Sequence, residues 1–396
     1  MVYHTIMESV HKEILKYCIL SGSTSIGDLS KKLDISVPTV TKLVQELVAE
    51  GFLHDEGKMT GAGAGGRRPS IYGLNPEAGY FLGLDIARQH FHLAISDFSG
   101  KVLCFIQDVE FILKSEKASI TELCDLVKKM ASDKGVDWGK VLGVGISLSG
   151  RINPEKGFSP TYYFSEDFPL KDLFRNEFGV PVIIENDSRA MTVSEYKALG
   201  PDADPNMLFI NLSWGLGMGV IIDSELYYGK TGYSGEIGHF PILDNDIICR
   251  CGKVGCLETG ASGSALKRWI MERIKSGRQT SLNKVLETNG DIRLNNILYA
   301  VEEEDVLAIE GIGVVGEILG RAIAGLINVF NPGLVIIGGR LVVGGDYLML
   351  PIKTAVNRHS LSKVSAETKL RFAKLGREAA SIGDCLIIRR HFIEKS

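Results

Sequence analysis

Three cysteines fall within eight residues, in the run Cys249-Arg-Cys-Gly-Lys-Val-Gly-Cys256, and His239 stands ten residues before the first of them. One imidazole and three thiolates suit a closed tetrahedral Zn²⁺ site, with no coordination position left for water. Gly252 and Gly255 permit the tight turns that would bring Cys251 and Cys256 onto one ion. The spacing predicts one structural zinc ion per chain, held by His239, Cys249, Cys251 and Cys256. The alternative is three buried thiols beside an unrelated imidazole, a coincidence in a chain with only seven cysteines. A closed site of this kind shapes a loop, here residues 239–258, and does no chemistry of its own. What that loop holds in place is the functional question.

A second polar set closes an apolar run, Val180-Pro-Val-Ile-Ile-Glu-Asn-Asp187. Read as a buried strand, it delivers three polar side chains at its C-terminal end, where α/β proteins bind ligands. Asp187 also opens a helical stretch, Ser188 to Leu199, and could serve as its N-cap. On these residues alone both readings stand.

A third set lies near the N-terminus. Val10, Ile14, Cys18 and Ile19 give one helix an apolar face, with Gly22 past its end. Ser25 and Asp28 resemble a capped start for a second. Ser36 caps a third, Pro38 sits in its first turn, and Val40, Leu43, Val44, Leu47 and Val48 form its buried stripe. That packing leaves Pro38, Thr39, Thr41, Lys42 and Gln45 outside. Phe52-Leu53-His54 and Ser70-Ile71-Tyr72 can pair as a hairpin around the glycine-rich stretch from Gly57 to Gly66. Helices joined by a short turn and followed by a hairpin make a winged helix-turn-helix, whose last helix enters the major groove. Arg67 and Arg68 follow four glycines, so the chain there can approach a narrow minor groove. Residues 1–80 carry eight Lys and Arg against nine Asp and Glu, so the expected DNA contact is local and not a broad basic surface. The competing use of such a module is dimerisation or protein docking. The small, polar outer face of the third helix favours DNA.

The elements between these sets alternate. Leu82–Ile86, Phe91–Ser96 and Lys101–Ile106 read as strands with tight turns, the second at Ser99-Gly100. A similar pattern returns at Met207–Asn211 and Met218–Ile222, with a turn from Asp223 to Glu225. Each is followed by helical and strand segments, so an α/β module occurs twice. A helix from Gly316 to Phe330, with small residues at Gly320 and Ala324, is expected to pack on a sheet or a symmetry mate. The acidic run Glu302 to Asp305 reads as a solvated face.

Bulk properties narrow the class. At 396 residues the chain has room for two or three domains. Its apolar content of 45% and net charge of −4 are those of an ordinary globular protein. Apolar runs such as Leu334-Val335-Ile336-Ile337 are too short to span a bilayer. No basic stretch precedes an apolar core at the N-terminus, and Cys18, Cys104, Cys124 and Cys385 are scattered through apolar or helical stretches. A cytoplasmic protein with reduced core thiols, and without membrane association, is expected.

From about residue 8 onward the chain resembles the ROK family of repressors, open reading frames and kinases. The resemblance rests on Gly235-Glu-Ile-Gly-His239 followed by the cysteine run and Leu257-Glu258. It rests also on Glu185-Asn186-Asp187, on Gly66-Arg-Arg-Pro69, and on Asn331-Pro-Gly followed by Val335-Ile-Ile-Gly-Gly339. It implies an actin-like, ribonuclease H-like duplicated sugar-kinase fold, two α/β halves with an N-terminal winged helix-turn-helix. The expected boundaries are 1–78 for the DNA-binding domain and 79–396 for the sugar-binding domain. The latter comprises roughly 79–190 with the C-terminal helix, and 191–380. The resemblance further implies a sugar held by Asn186, Asp187, Glu236, His239 and Glu258, with His239 also on zinc. Carboxylates and an amide suit vicinal hydroxyls, because each oxygen accepts hydrogen bonds in a fixed direction.

In the kinases of this family, the aspartate matching Asp187 is the catalytic base, and glycine-rich loops cradle the nucleotide phosphates. This chain departs from that pattern twice. Where the kinases carry Asp-x-Gly-Gly-Thr it has Asp85-Ile-Ala-Arg-Gln89, so Ala87 and Arg88 replace glycines. Where they carry Gly-Thr-Gly it has Ser213-Trp214-Gly215. A kept sugar shell and a broken nucleotide shell imply a sugar-responsive transcriptional regulator, a repressor, without kinase activity. It would bind operator DNA as a homodimer or homotetramer. The rivals are an active sugar kinase with an appended helix-turn-helix domain, using Asp187 as its base, and an assembly scaffold.

Overall fold

The computed structural model describes residues 9–58, 68–159 and 169–395. At the N-terminus, α1 (Ser9–Ser21), α2 (Ile26–Leu33) and α3 (Val37–Ala49) form where the apolar spacing predicts them. The Ser25 hydroxyl accepts the Asp28 N–H at 3.1 Å and donates to the Asp28 carboxylate at 2.6 Å, fixing the entry to α2. Ser36 caps α3 in the same way. Val40, Leu43, Val44 and Leu47 are buried, whereas Val48, expected with them, is half-buried at the stripe's edge. β2 (Leu53–Lys58) pairs antiparallel with β3 (Ser70–Leu74), and a short β1 (Thr24–Ser25) joins on the other side of β3, giving the sheet order β1-β3-β2. The hairpin was legible. The two-residue β1 was not, because a strand that short has no periodicity.

The rest of the chain runs β4 (Tyr80–Ile86), β5 (His90–Asp97), β6 (Val102–Glu110), α4 (Lys117–Asp133), β7 (Val141–Leu148), α5 (Leu170–Phe178), β8 (Val182–Asn186) and α6 (Asp187–Lys197). Then follow β9 (Met207–Leu212), β10 (Leu216–Ile222), β11 (Glu225–Leu226), α7 (Gly263–Lys275), α8 (Leu282–Asn289), α9 (Leu294–Glu302) and α10 (Val306–Phe330). The last elements are β12 (Leu334–Gly338), α11 (Gly345–His359), α12 (Ser362–Ser365), β13 (Lys369–Phe372) and α13 (Ala379–Lys395). One five-stranded sheet has the order β6-β5-β4-β7-β8 and the other β11-β10-β9-β12-β13. Each is an antiparallel meander whose first strand also pairs in parallel with a later one, so the module is a duplication down to strand order.

The chain separates into two compact units, 1–190 with 380–396, and 191–379. In the first unit, the winged helix-turn-helix is no appendage on a tether. Its buried residues, from Ile14 to Leu53, form one core with Phe81, Phe98 and Leu142 of the α/β part and with Ile388, Phe392 and Ile393 of α13. Phe52 stacks at 5.4 Å from Phe98, and Phe392 lies 5.8 Å from Phe81. Helix α13 lies directly on the sheet at two glycines: a Cβ at Gly83 would meet the Ser381 carbonyl at 1.8 Å, and one at Gly145 the Asp384 carbonyl at 2.3 Å.

In the second unit, α10 begins ten residues before the start expected from sequence, at Val306, with Asp305 as its N-cap. Asp305 is therefore no solvated charge: its carboxylate accepts from Ala308 N–H, Thr280 and Ser281, which holds it below the usual carboxylate range despite partial burial. Glu302 to Glu304 are exposed, as expected. Gly316 and Gly320 of α10 face α11 and not a sheet; a Cβ on Gly320 would lie 2.7 Å from that of Ala355.

Candidate functional site

The cysteine loop folds through backbone bonds of its own. Cys249 N–H donates to Lys253 at 2.7 Å, Gly252 N–H to Cys249 at 2.8 Å, and Leu257 N–H to Phe240 at 2.8 Å. Gly252 and Gly255 take φ of 83° and 73°, the left-handed turns that a Cβ disfavours. His239 Nδ1 and the three sulfurs lie within 4.8 Å of one another; Cys249 Sγ is 3.5 Å from Nδ1, and Cys251 Sγ is 3.6 Å from Cys256 Sγ. A tetrahedron with Zn–S bonds of about 2.3 Å has S–S edges of about 3.8 Å, so the four donors already stand at ligating separations. Burial pushes the Cys256 thiol up to about 12, whereas the Lys253 backbone N–H draws the Cys251 thiol below its usual range. Three sulfurs and an imidazole gathered this closely can hold one metal ion, which would take the thiols as thiolates.

Next to the loop stand the second unit's carboxylates. His239 turns Nε2 toward Glu236, 3.7 Å from its Oε2. One imidazole thus faces thiols with one nitrogen and a carboxylate with the other. Glu258 sits in the turn Leu257–Thr259 directly after Cys256, and its Oε2 accepts the Leu216 N–H at 3.0 Å. The metal loop and β10 together fix where that carboxylate points.

In the first unit, Asn186 ends β8 and Asp187 starts α6. The N-cap bond goes to Asn186, whose Oδ1 accepts the N–H three residues on, because α6 begins at Asp187 itself. Asp187 is instead held by its neighbours. Its Oδ1 accepts Ser188 N–H at 2.7 Å and Asn186 Nδ2 at 3.0 Å, and its Oδ2 accepts the Ser149 hydroxyl at 2.9 Å. Asn186 Oδ1 accepts Arg189 N–H at 3.2 Å. Beneath them, Arg189 Nε donates to Glu185 Oε1 at 2.6 Å, both side chains 2% exposed, and Arg189 reaches the Ile152 carbonyl at 3.2 Å. This ion pair ties α6 to β8.

Behind Asp187 lies a buried carboxyl cluster that sequence reading missed. The Ser147 hydroxyl lies 2.7 Å from Asp384 Oδ2 on α13 and 3.3 Å from Asp85 Oδ1 on β4. Burial, with repulsion from Asp187, pushes the Asp85 carboxyl up to about 7. Burial, with Asp85 and Glu185 nearby, holds Asp384 well above the usual carboxylate range. The cluster therefore retains protons near neutrality, and Ser147 links two carboxyls that cannot both ionise cheaply. Burial also raises Asp187, offset by its serine donors. The available signal was Asp384, a charge inside the apolar face of a helix.

Residues 81–391 match the ROK family, and residues 7–53 match a winged helix-turn-helix DNA-binding family. The chain belongs to the ROK family. It is 30% identical over 387 residues to a xylose repressor of Caldicellulosiruptor bescii, covering 96% of this chain and 95% of the relative. A solved ROK family transcriptional regulator, a homologue of the E. coli MLC protein, superposes with a TM-score of 0.81 at 27% identity, over 97% of this chain and 96% of that one. A ROK glucokinase from Streptomyces griseus, solved with glucose and AMPPNP, gives a TM-score of 0.67 at 26% identity, over 78% and 99%. The duplicated kinase-like fold with an N-terminal winged helix-turn-helix is thus that of a ROK regulator. Among the described residues, no helix is long and apolar enough to cross a membrane.

The two turns that depart from the ROK kinase pattern are closed by this chain's own groups. Ala87 N–H donates to His90 at 2.9 Å, making a tight hairpin turn with Arg88 exposed. In the other turn, the Ser213 and Trp214 carbonyls accept the N–H groups of Gly263 and Ser264 at 2.8 and 3.0 Å, and Ser262 Oγ accepts that of Ala265. The N-terminal amides of α7 are therefore occupied by chain carbonyls and a serine.

On α3, Pro38, Thr39, Lys42 and Gln45 are exposed and Thr41 is half-buried. The Thr41 hydroxyl donates back to Val37 at 2.7 Å, and Lys42 lies 3.7 Å from Glu46. Glu46 also pairs with His11 of α1 at 3.0 Å, a tie between the helices that the sequence did not announce. Arg68 is exposed beside β3, while Arg67 and Gly66 lie outside the described residues.

Proposed function

We propose that this ROK protein is a sugar-responsive transcriptional repressor that does not phosphorylate its sugar. The observation that carries this is a single core joining the winged helix-turn-helix to the α/β part that bears Asn186 and Asp187. The departures from the kinase phosphate turns at Ala87, Arg88 and Trp214 support it. Asn186, Asp187, Glu236 and Glu258 supply acceptors suited to vicinal hydroxyls, and His239, with Nδ1 on the metal, supplies an Nε2–H donor. The ion on His239, Cys249, Cys251 and Cys256 is zinc, which favours tetrahedral thiolate and imidazole donors. It holds His239 and Glu258 in register and takes no part in chemistry.

Operator DNA is bound by a homodimer or homotetramer through Pro38, Thr39, Thr41, Lys42 and Gln45 in the major groove, with Arg67 and Arg68 in the wing, in the cytoplasm. Coupling between sites of about 1–3 kcal/mol suffices to change DNA affinity five- to 150-fold. Helix α13 offers the route, since Asp384 meets the carboxyl cluster behind Asp187 and Phe392 meets Phe52.

The test is fluorescence anisotropy on duplexes selected from a randomised pool, with and without aldopentoses, aldohexoses and N-acetylhexosamines. One sugar class should shift DNA affinity, and Asp187→Ala should abolish the shift while leaving sugar-free DNA affinity intact. Indifference of DNA affinity to every sugar would reject the reading. So would ATP-dependent phosphorylation at about 1–100 s⁻¹, the usual kinase range, lost in Asp187→Asn.

A further inference from the structure

His90 and His92 alternate along β5 with Phe91 and Leu93. Phe91 and Leu93 are fully buried in the first unit's core, so the two imidazoles share the opposite face of the strand. The neighbouring strand β6 carries a bulge at this point: Phe91 pairs with Val109 but Leu93 pairs with Ile106, leaving two residues of β6 opposite His92. One of them, Asp108, adopts φ of 53°, left-handed backbone that costs a non-glycine residue energy unless its surroundings compensate. The bulge turns Asp108 toward both rings. Its Oδ1 is 3.8 Å from His90 Nε2, its N–H donates to His92 Nδ1 at 3.1 Å, and the ring centroids are 5.0 Å apart. One ligand atom from each residue lies within 4.8 Å of the others.

We propose that His90, His92 and Asp108 form a second metal site, on the β5–β6 edge of the sheet, for a divalent transition ion of the zinc, cobalt or nickel class. Two imidazoles and one carboxylate suit these borderline ions better than Mg²⁺ or Ca²⁺, which require mostly oxygen donors. A histidine pair two residues apart on a strand, with a third ligand from the adjacent strand, leaves a coordination position open, unlike the closed cysteine loop. His90 and Asp108 keep 36% and 47% of their side chains exposed, so an ion can enter and both can close by the ångström that bonds of about 2.0–2.2 Å require. His92 is buried and stacks 5.8 Å from Phe105, which pre-sets its ring. An ion at its Nδ1 replaces the Asp108 N–H, and that amide, on an exposed residue, turns to water.

The experiment loads the full chain with Co²⁺ and measures ions bound per chain by equilibrium dialysis together with absorption spectra. Two ions per chain are expected. The first brings thiolate-to-cobalt charge transfer in the near ultraviolet; the second brings only the weaker visible bands of a nitrogen and oxygen site. Asp108→Asn, which keeps a residue tolerant of left-handed backbone, and His90→Ala should each weaken the second ion by more than about tenfold, a scale that even outer-shell partners of metal ligands reach. They should leave the charge-transfer band and DNA binding unchanged, and Cys251→Ser should do the reverse to that band. One ion per chain at micromolar free cobalt, or a second ion indifferent to both substitutions, would overturn the proposal.

Discussion

The two sheets share a strand order and differ in what stands at equivalent places. In the first, Asp85 near the end of β4 lies opposite Ser147 of β7, and Asp384 of α13 joins them in a buried carboxyl cluster. In the second, Asn211 near the end of β9 lies opposite Gly338 of β12, with a neutral Ser213 hydroxyl donating to Asn211 Oδ1 at 2.8 Å. The first unit places its polar chemistry inside the sheet's end and stabilises it with a buried ion pair and a serine bridge. The second has a neutral amide and hydroxyl at the matching place and gathers its polar groups around the cysteine loop. The difference teaches that duplication preserves backbone pairing, while the means of holding a carboxylate in place changes freely. The two arrangements should also fail differently.

The largest effect should come from Glu185→Ala, which removes the carboxylate partner of the buried Arg189 guanidinium. A loss of about 3–5 kcal/mol in chemical denaturation is expected, with much of it recovered when both partners are replaced by apolar residues of similar size. A loss below about 1 kcal/mol would show that this unit does not depend on the pair.

Next is pH. The Asp85 carboxyl is raised from 3.8 to about 7 on folding, so the folded chain binds the extra proton between those values. That contribution is complete below about pH 4 and is lost as pH rises to about 7, worth at most about 4 kcal/mol. Stability measured from pH 4 to 8 should decline across this window, and Asp85→Asn should flatten the decline. The second unit, with neutral Asn211 and Ser213 at the matching place, supplies no counterpart.

Removing the metal from the loop should act on the second unit alone. Cys251→Ser, which removes that ion without touching the β5–β6 edge, should raise the sugar concentration needed for a half-maximal change in DNA affinity by about tenfold or more, with helix content unchanged. Unaltered sugar affinity in the metal-free chain would reduce the loop to scaffolding. The smallest effect belongs to the DNA face: Lys42→Ala or Arg68→Ala should each reduce the salt dependence of DNA binding by about one phosphate contact.

Much of this was legible in the residues. The apolar spacing of Val40, Leu43, Val44 and Leu47, with Ser36 as cap, places α3, and the alternation around Leu82 and Met207 exposes the duplication, because local periodicity and capping are written in neighbouring residues. The loop from His239 to Cys256 is legible for the same reason: its ligands are close in sequence and its glycines sit where left-handed turns are needed. Less visible was the length of α10, since a glycine-rich helix lacks a sharp start and its cap, Asp305, sits in an acidic run that reads as surface.

The sequence by itself therefore determined the family, the helix-turn-helix, and a histidine and three cysteines near enough in the chain to gather on one loop. Only the tertiary structure decided that Ser147 bridges Asp85 and Asp384, that Glu185 and Arg189 neutralise each other under Asp187, and that Phe52 and Phe392 join the DNA-binding head to the C-terminal helix. The reason is separation along the chain. Ser147 and Asp384 are 237 residues apart, and no local pattern encodes a contact that exists only once the sheet has formed and α13 has settled on its glycines.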